Sequence, residues 1–499
     1  MSQNGKATAF ADTSLSIENS KGAKTGQAYI RGLSDGREVW LNGEKIDVTR
    51  HPAFTGIITE LARLYDLQYT EAFQEQMTFI SPVTGNRVSY SYSLPKSPAE
   101  LELKWRNSHI WMENSWGQLP RLPDFMSNVV VGLYDYRNEL GLVDPRFREN
   151  AVNYYTYCRE HDICLTHALG DPQIDRSIGP SVDPDLALRI VSETTDGIIV
   201  RGAKQLATLA PVADEVLIYL SPSFAMREHK EFVLWAGLPM ATPGLKVLCR
   251  EPHSYAGEIH GHSHPFAWRY DEQDAMLFFD DVFIPWERVL LLYNCETAAK
   301  GFNRINAWSL YSGLVRFYHR LQTFIGMASL LAESIGVNGF REIGNSLGEL
   351  ASYAQMTKLA LKGLHQEAYL TDGGLFAPGD TSAAGIFAAQ VSPRLIEIVK
   401  EIAASGLVMQ PSEADLDHPE LKPFLEKYMH GKDIDVYQKS RLFRLAWDLA
   451  CDSYGMRQEL YERWHRGDIV RNRINLFAQY DCRLIKQRIK HLISEPIQP

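Results

Sequence analysis

The sequence predicts an α+β protein whose chain runs helix, then strand, then helix, and three observations carry that prediction. Between about residues 52 and 161 apolar residues recur at helical spacing, with Phe54, Ile57, Ile58, Leu61 and Leu64 on one stripe. From about 163 to 292 the texture changes to short β-rich runs, RIVSETTDGIIVRGAKQLATLA, EVLIYLS, LKVLCRE and AMLFFDDVFI, divided by Gly, Pro and Asp. After Thr297 long amphipathic patterns return. This order is not the alternating βαβ pattern of a doubly wound sheet. Neither GxGxxG nor GxxxxGK[ST] occurs, so no Rossmann-type nicotinamide site is expected.

The elements divide the chain into four segments. Residues 1–26 are polar and Gly/Ser-rich and are expected to form a disordered leader. Residues 27–162 form a mainly α domain, in which SPAE at 97–100 is a helix start with a capping Ser, a first-turn Pro and a first-turn Glu. Residues 163–296 form a β domain, and residues 297–499 a helical bundle. One bundle stripe carries Leu314, Phe317, Leu321, Phe324, Ile325 and Ala328, another Leu347, Leu350, Ala351 and Ala354. Bundles of this kind often bury a second apolar face in an oligomer.

Composition narrows the function. Apolar residues make up 45% and charged residues 22% of 499, an ordinary globular balance at a length that covers two to four domains and a large core. The net charge of -10, with no cluster of five or more basic residues, argues against a nucleic-acid surface. Apolar runs such as VLLLY at 289–293 are too short to span a bilayer, and the N-terminus lacks the apolar core of a signal peptide, so a soluble cytoplasmic protein is expected. Six scattered cysteines (158, 164, 249, 295, 451, 482) without CxxC spacing read as reduced thiols and offer no thiolate metal site.

Four features invite a chemical reading. In CLTHALGDPQIDRS, residues 164–177, His167 ends a short apolar run and enters a loop broken by Gly170 and Pro172, where scaffolds present chemistry; a buried histidine bonded to a carbonyl is the competing reading. HGHSH alternates His260, His262 and His264 as metal ligands would, but nothing nearby completes a site, and the surrounding Gly and Pro favour an exposed loop. Phe232 to Met240, with LWAGLPM at its centre, reads as a mobile lid. Trp111, Trp116 and Tyr155 fit pocket walls and core packing equally well.

Taken in order, DGREVWLNGEKIDVTRHPAF, PRLPDF, LTHALGDPQIDR, TTDGIIVRGAKQLAT, DAMLFFDDVFIPWERVLL, ASGLVMQPS and YGMRQELYE span some 430 residues. Together they resemble the two-component flavin-dependent monooxygenase family typified by the oxygenase component of 4-hydroxyphenylacetate 3-hydroxylase. The resemblance implies an acyl-CoA-dehydrogenase-like fold: an N-terminal α domain, a central β domain and a C-terminal four-helix bundle that builds a homotetramer. It implies a group D monooxygenase that receives reduced FAD from a separate NAD(P)H-dependent flavin reductase by diffusive transfer. With O2 as co-substrate, such an enzyme forms a C4a-hydroperoxyflavin and hydroxylates a phenol or a phenol-like heteroaromatic such as a hydroxypyridine.

The same resemblance assigns residues. Arg121 and His167 match the family's active-site Arg and His, beside flavin and substrate, so both are expected to be catalytic and to bind substrate. A histidine of ordinary pKa, about 6.5, would share a phenolic proton near neutrality. Phe125 stands where the family often has a substrate-contacting Tyr, so the substrate cannot be carried over from 4-hydroxyphenylacetate. Gln173, Ile174, Asp175 and Arg176, together with His167 and Thr208, are implied flavin contacts, and Ser405 and Arg457 are implied to reach the ribityl or diphosphate part, Ser405 across a subunit interface. The alternative on the same fold is an acyl-CoA-dehydrogenase-like flavoenzyme acting on a thioester. Its dehydratase relative is implied to hold an iron-sulfur cluster by cysteines where this chain has Arg121 and Phe125. A non-catalytic scaffold would have no use for the polar set Arg121, His167, Gln173 and Thr208.

Overall fold

The computed structural model describes residues 14–175, 177, 183–185, 187–219, 229–253 and 262–494. Local sequence starts each N-terminal helix. Pro52–Asp66 has proline in its first turn and His51 as cap. In Pro98–Asn114 the Ser97 hydroxyl accepts from the Glu100 N–H at 3.2 Å, as SPAE predicts. In Pro145–His161 the Asp144 carboxylate accepts from the Arg146 N–H at 2.9 Å. Trp111 and Tyr155 are buried core residues, whereas Trp116 is 56% exposed.

The mainly α segment also holds four strands, the pair Thr78–Ile80 and Arg87–Ser89 and the pair Glu38–Leu41 and Glu44–Ile46. Between the last two Asn42 and Gly43 both have positive φ, 51° and 82°, the signature of a tight hairpin turn. The strand Glu38–Leu41 pairs in parallel with Leu245–Cys249, so this hairpin is the edge of a six-stranded central sheet. Order also begins ahead of residue 27. Gly22 donates its N–H to the Glu160 carbonyl at 3.1 Å and Ala23 to that of Arg87 at 2.7 Å. Residues 1–13 of the expected leader lie outside the described residues.

Two sheets make the centre. The six-stranded sheet includes the long strands Gly197–Thr208 and Asp274–Pro285, paired antiparallel with Thr208 opposite Asp274. The four-stranded sheet runs Val289–Leu292, Leu234–Pro239, Glu215–Ile218, Leu165–Ala168, the last two parallel with His167 opposite Leu217. The expected lid is therefore corrected: Leu234 to Leu238 are buried in this sheet, and a Cβ at Gly237 would lie 2.3 Å from the Tyr154 ring. The apolar residues that suggested a lid are core, and the glycine admits a close-packed tyrosine.

Helices Ala307–Ser334, Arg341–Gln366, Ser382–Ala403 and Val436–Ala450 form the C-terminal bundle. Leu314, Phe317, Leu321, Phe324 and Ala328 are buried as the stripe predicts, as are Leu350 and Ala354, whereas Ala351 is exposed. All six cysteines are free thiols. Among the described residues no helix is long and apolar enough to cross a membrane.

One buried carboxylate joins the bundle to the N-terminal helices. Asp124 accepts hydrogen bonds from Ser91 Oγ (2.7 Å), Asn107 Nδ2 (3.0 Å), Ser108 Oγ (2.8 Å) and Ser312 Oγ (2.7 Å). It sits in PRLPDF between Arg121 and Phe125 and fixes that segment from behind. Asp124→Ala leaves these donors unmet and is expected to lower stability by roughly 3–5 kcal/mol, as for breaking other buried charge networks. Denaturant unfolding checks this, and a loss under about 1 kcal/mol would contradict the role.

Candidate active site

His167 and Arg121 come together from different parts of the chain. His167 stands on the strand Leu165–Ala168, and Arg121 lies just ahead of the helix Pro123–Asp135. The Arg121 Nε–H donates to His167 Nε2 at 3.1 Å, and each residue is 6% exposed. The Phe125 ring meets His167 edge-on at 6.1 Å and takes the Arg121 guanidinium on its face at 4.2 Å. The guanidinium also donates to the Tyr461 hydroxyl. On its other side His167 Nδ1 lies 3.3 Å from the Tyr219 hydroxyl.

These surroundings correct one expectation. Burial first, and the Arg121 cation second, push the His167 imidazole well below its usual range. At neutral pH it is a neutral ring that carries one proton and does not take up a second by itself. Its partner is also not the backbone carbonyl of the structural reading but a guanidinium and a phenol.

A second cluster lies beside the first. Thr208 Oγ1 donates to Asp274 Oδ1 at 2.7 Å, and Arg457 Nε donates to Asp274 Oδ2 at 2.8 Å. Arg457 Nη1 reaches Glu272 Oε2 at 3.2 Å, and the other oxygen of Glu272 accepts the backbone N–H of Arg121 at 2.7 Å. Thr166 Oγ1 donates to the Thr208 carbonyl, tying the strand of His167 to that of Thr208. Thr208 is bracketed by Leu206 and Leu209 at φ 59° and 69°, left-handed conformations that leucine adopts only where the surroundings impose them.

The structure thus unites Arg121, Phe125, His167, Thr208 and Arg457. Gln173, Ile174 and Asp175 lie on the adjoining loop, exposed. That loop is held by the Lys204–Asp171 pair at 2.5 Å and by the Gln173 N–H donating to Gln205 Oε1 at 3.2 Å. Arg176 lies outside the described residues. Ser405 is not brought in: it is exposed on the turn Ala404–Leu407, whose Gly406 packs against Phe443. In HGHSH, His260 lies outside the described residues, and His264 Nε2 is 3.1 Å from Asp452. His262, Ser263 and His264 are half-buried rather than on an exposed loop, and the Asp448 carboxylate accepts the N–H groups of Phe266 and Ala267 just beyond them. Among the described residues no three His, Cys, Asp or Glu are arranged to hold a metal.

Sequence reasoning missed Glu272, Tyr219, Asn306 and Tyr461. Only Tyr461 had a signal, since it lies one turn after Arg457 in YGMRQELYE.

Two family profiles, described as "4-hydroxyphenylacetate 3-hydroxylase N terminal" and "C terminal", match residues 25–291 and 298–494. The 4-hydroxyphenylacetate 3-monooxygenase oxygenase component of Thermus thermophilus is 35% identical over 95% of this chain and 98% of its own. The 4-nitrophenol 2-monooxygenase oxygenase component of a Rhodococcus species is 30% identical over 92% and 89%. A crystal structure of the HpaB oxygenase component with FAD and 4-hydroxyphenylacetate superposes with TM-score 0.89 at 34% identity, covering 94% of this chain and 98% of that one. The chain therefore has the acyl-CoA-dehydrogenase-like fold expected of it.

Burial pushes the Glu272 carboxyl up to about 7, against the pull of Arg457 and the Arg121 N–H. Between the unfolded value of about 4.3 and that point the folded chain binds a proton that the unfolded chain releases. This contribution to stability is therefore full at low pH and is lost as pH rises toward 7. Glu272→Gln, which cannot titrate, should remove that slope. Thermal midpoints of both proteins across pH 4.5–7.5 check it, and parallel curves would contradict the assignment.

Proposed function

Because the chain belongs to the 4-hydroxyphenylacetate 3-hydroxylase family, we propose that it hydroxylates a phenol, or a phenol-like heteroaromatic such as a hydroxypyridine, next to the ring hydroxyl. It is the oxygenase component of a two-component, FAD-dependent aromatic monooxygenase and works with a separate reductase. The observation that carries the site reading is the buried Arg121–His167 pair at 3.1 Å, framed by Phe125. A cation beside a neutral imidazole acceptor is what a phenol needs to become an electron-rich phenolate. The thioester alternative gives this pair no such task.

The residues present fit FAD. Ile174 and Leu206, 43% and 62% exposed, flank the Gln173–Gln205 contact and offer apolar surface that a flat ring system would cover. The Thr208 hydroxyl has its proton committed to Asp274 and accepts a long contact from Arg457 Nη2 at 3.5 Å, so one further lone pair is left to accept from an N–H at the ring edge. A reduced ring carries one more such N–H than an oxidised one, which favours binding of reduced FAD. Arg457 buttresses Thr208 through Asp274 and is already engaged by two carboxylates, and Ser405, exposed on its own turn, would reach the ribityl or diphosphate part from another subunit. Reduced FAD, with O2, supplies the transferred oxygen atom.

The chain's own residues handle the substrate proton and exclude water. A phenol hydroxyl placed at His167 Nε2 displaces the Arg121 Nε–H from that nitrogen, and the guanidinium turns its donors to the phenolic oxygen. His167 takes a share of the proton in the hydrogen bond, since its low affinity disfavours a lasting imidazolium. Phe125 contributes an apolar wall where a tyrosine would add a hydroxyl, so substrate choice differs from that of a tyrosine-bearing relative.

Assembly as a homotetramer and a cytoplasmic location complete the proposal, with reductase and oxygenase exchanging flavin by diffusion. The tail helices Ile469–Gln479 and Arg483–Ser494 support assembly. Neither has a buried residue, and Ile474, Phe477, Leu484 and Ile493 are each more than 60% exposed, a face that another subunit would cover. Light scattering should give four chains per particle, and a monomer at micromolar concentration would overturn this. For the chemistry, His167→Ala should lower hydroxylation about a hundredfold while FAD still binds and O2 is consumed to hydrogen peroxide. Stopped-flow absorbance with product and peroxide assays measures both, and hydroxylation at the wild-type rate would remove His167 from the mechanism.

A further inference from the structure

We propose that Tyr219 and Asn306 are positioning residues that hold the proton of His167 on Nδ1, so that Nε2 stays the acceptor toward the substrate even after Arg121 leaves it. The consequence for catalysis rests on the hydroxylase reading above; the proton's location does not.

The direction of each hydrogen bond in the chain is fixed. Asn306 closes one end. Its amide lies 2.7 Å from the Phe302 carbonyl, which can only accept, so Nδ2 faces Phe302 and Oδ1 faces away. Oδ1 then accepts the Tyr219 hydroxyl at 3.0 Å, while the Ser309 hydroxyl lies 3.1 Å from the Asn306 main-chain carbonyl and 3.3 Å from Oδ1. Tyr219 has one proton and has committed it, so toward His167 its oxygen can only accept. The Nδ1 atom at 3.3 Å must therefore carry the imidazole proton. From the other end, Arg121 Nε can only donate, so Nε2 must be bare. Two independent ends specify one tautomer.

The relay is rigid. Tyr219 is 1% exposed, its ring set between Trp235 (6.4 Å, perpendicular) and Phe302 (6.0 Å), and Asn306 is 6% exposed at the start of the long bundle helix. Burial raises the Tyr219 phenol well above its usual range, so the hydroxyl keeps its proton. When a substrate O–H gives its proton to Nε2, the O–H bond breaks, the electron pair stays on the phenolate oxygen and an N–H bond forms. The imidazolium then has its Nδ1–H already bonded, so the ring does not reorganise. Without Tyr219, Arg121 alone would enforce the tautomer, and that constraint vanishes once Arg121 turns to the substrate.

The test separates the two constraints. Solid-state 15N NMR of the full chain with labelled histidine reports the protonated nitrogen, His167 being assigned by difference from His167→Asn. In Arg121→Ala the relay alone should keep the proton on Nδ1, and in Arg121→Ala/Tyr219→Phe that preference should be lost. Single Tyr219→Phe and Asn306→Leu variants should lower product formed per flavin oxidised by about ten- to hundredfold, the usual cost of removing a group that orients an imidazole, with little change in substrate KM. A proton on Nε2 in wild type or in Arg121→Ala, or an unaltered Nδ1 preference in the double variant, would overturn the relay. If the NMR result is as stated and no phenol is hydroxylated by the wild-type protein with a competent reductase, the relay stands and the hydroxylase reading falls.

Discussion

The geometry of the site depends on the Glu272 carboxylate, where three parts of the chain meet. One oxygen accepts the backbone N–H of Arg121 from the helical region, the other faces the Arg457 guanidinium from the C-terminal region, and Glu272 itself precedes the central strand Asp274–Pro285. The helix Pro123–Asp135 starts without a side-chain cap of its own, since Leu122 has no group to supply one. Chain direction at Arg121 is therefore set from outside, by Glu272 in front and Asp124 behind. A fully buried carboxylate is costly unless paired, and here the pairing is divided between two distant segments, so displacing Arg457 removes its cation and displacing Arg121 leaves one oxygen without a donor.

Charge around Tyr461 follows from the same arrangement. The guanidinium carbons of Arg121, Arg316 and Arg457 lie 5.0, 5.5 and 5.5 Å from its ring centroid, and Arg316 is paired with Glu462 at 2.7 Å. Arg457 has Glu272 and Asp274, so Arg121 is the cation in this group that has no side-chain carboxylate bonded to it and can attend to an anionic oxygen. Phe125 belongs to this logic. Exchanging a hydroxylated ring for phenylalanine loses a donor but leaves an apolar face for the guanidinium, and the Tyr461 hydroxyl occupies another of its nitrogens.

Sequence reasoning reached what local chemistry writes into the chain. Ser97 caps its helix, the Leu314–Ala328 stripe is core, and Arg121, His167, Thr208 and Arg457 lie in one contiguous network. It failed where tertiary context decides. Asn42-Gly43 is a strong hairpin signal lying inside a segment read as mainly α, and LWAGLPM resembles a lid only until Tyr154 is found against Gly237. Glu272 is 151 residues from its partner Arg121, and Asn306 is 87 from Tyr219, so no local pattern could pair them. Burial is likewise a property of the folded chain, which is why His167 was expected near its ordinary pKa and is held far below it.

That depression has a chemical consequence. The Arg121 cation makes His167 a poorer proton acceptor, yet the same cation beside a phenol makes that phenol a better proton donor. The two effects oppose each other in the affinity of each group but act on one proton, so the driving force for transfer depends on their difference. While Arg121 bonds to Nε2 the histidine bears the larger share of the field. If, as proposed, the guanidinium turns to the phenolic oxygen, the larger share would fall on the substrate and deprotonation would become easier. In the proposed mechanism, movement of one side chain between two acceptors links substrate arrival to activation of the ring, and before that movement the Arg121 cation faces a neutral histidine.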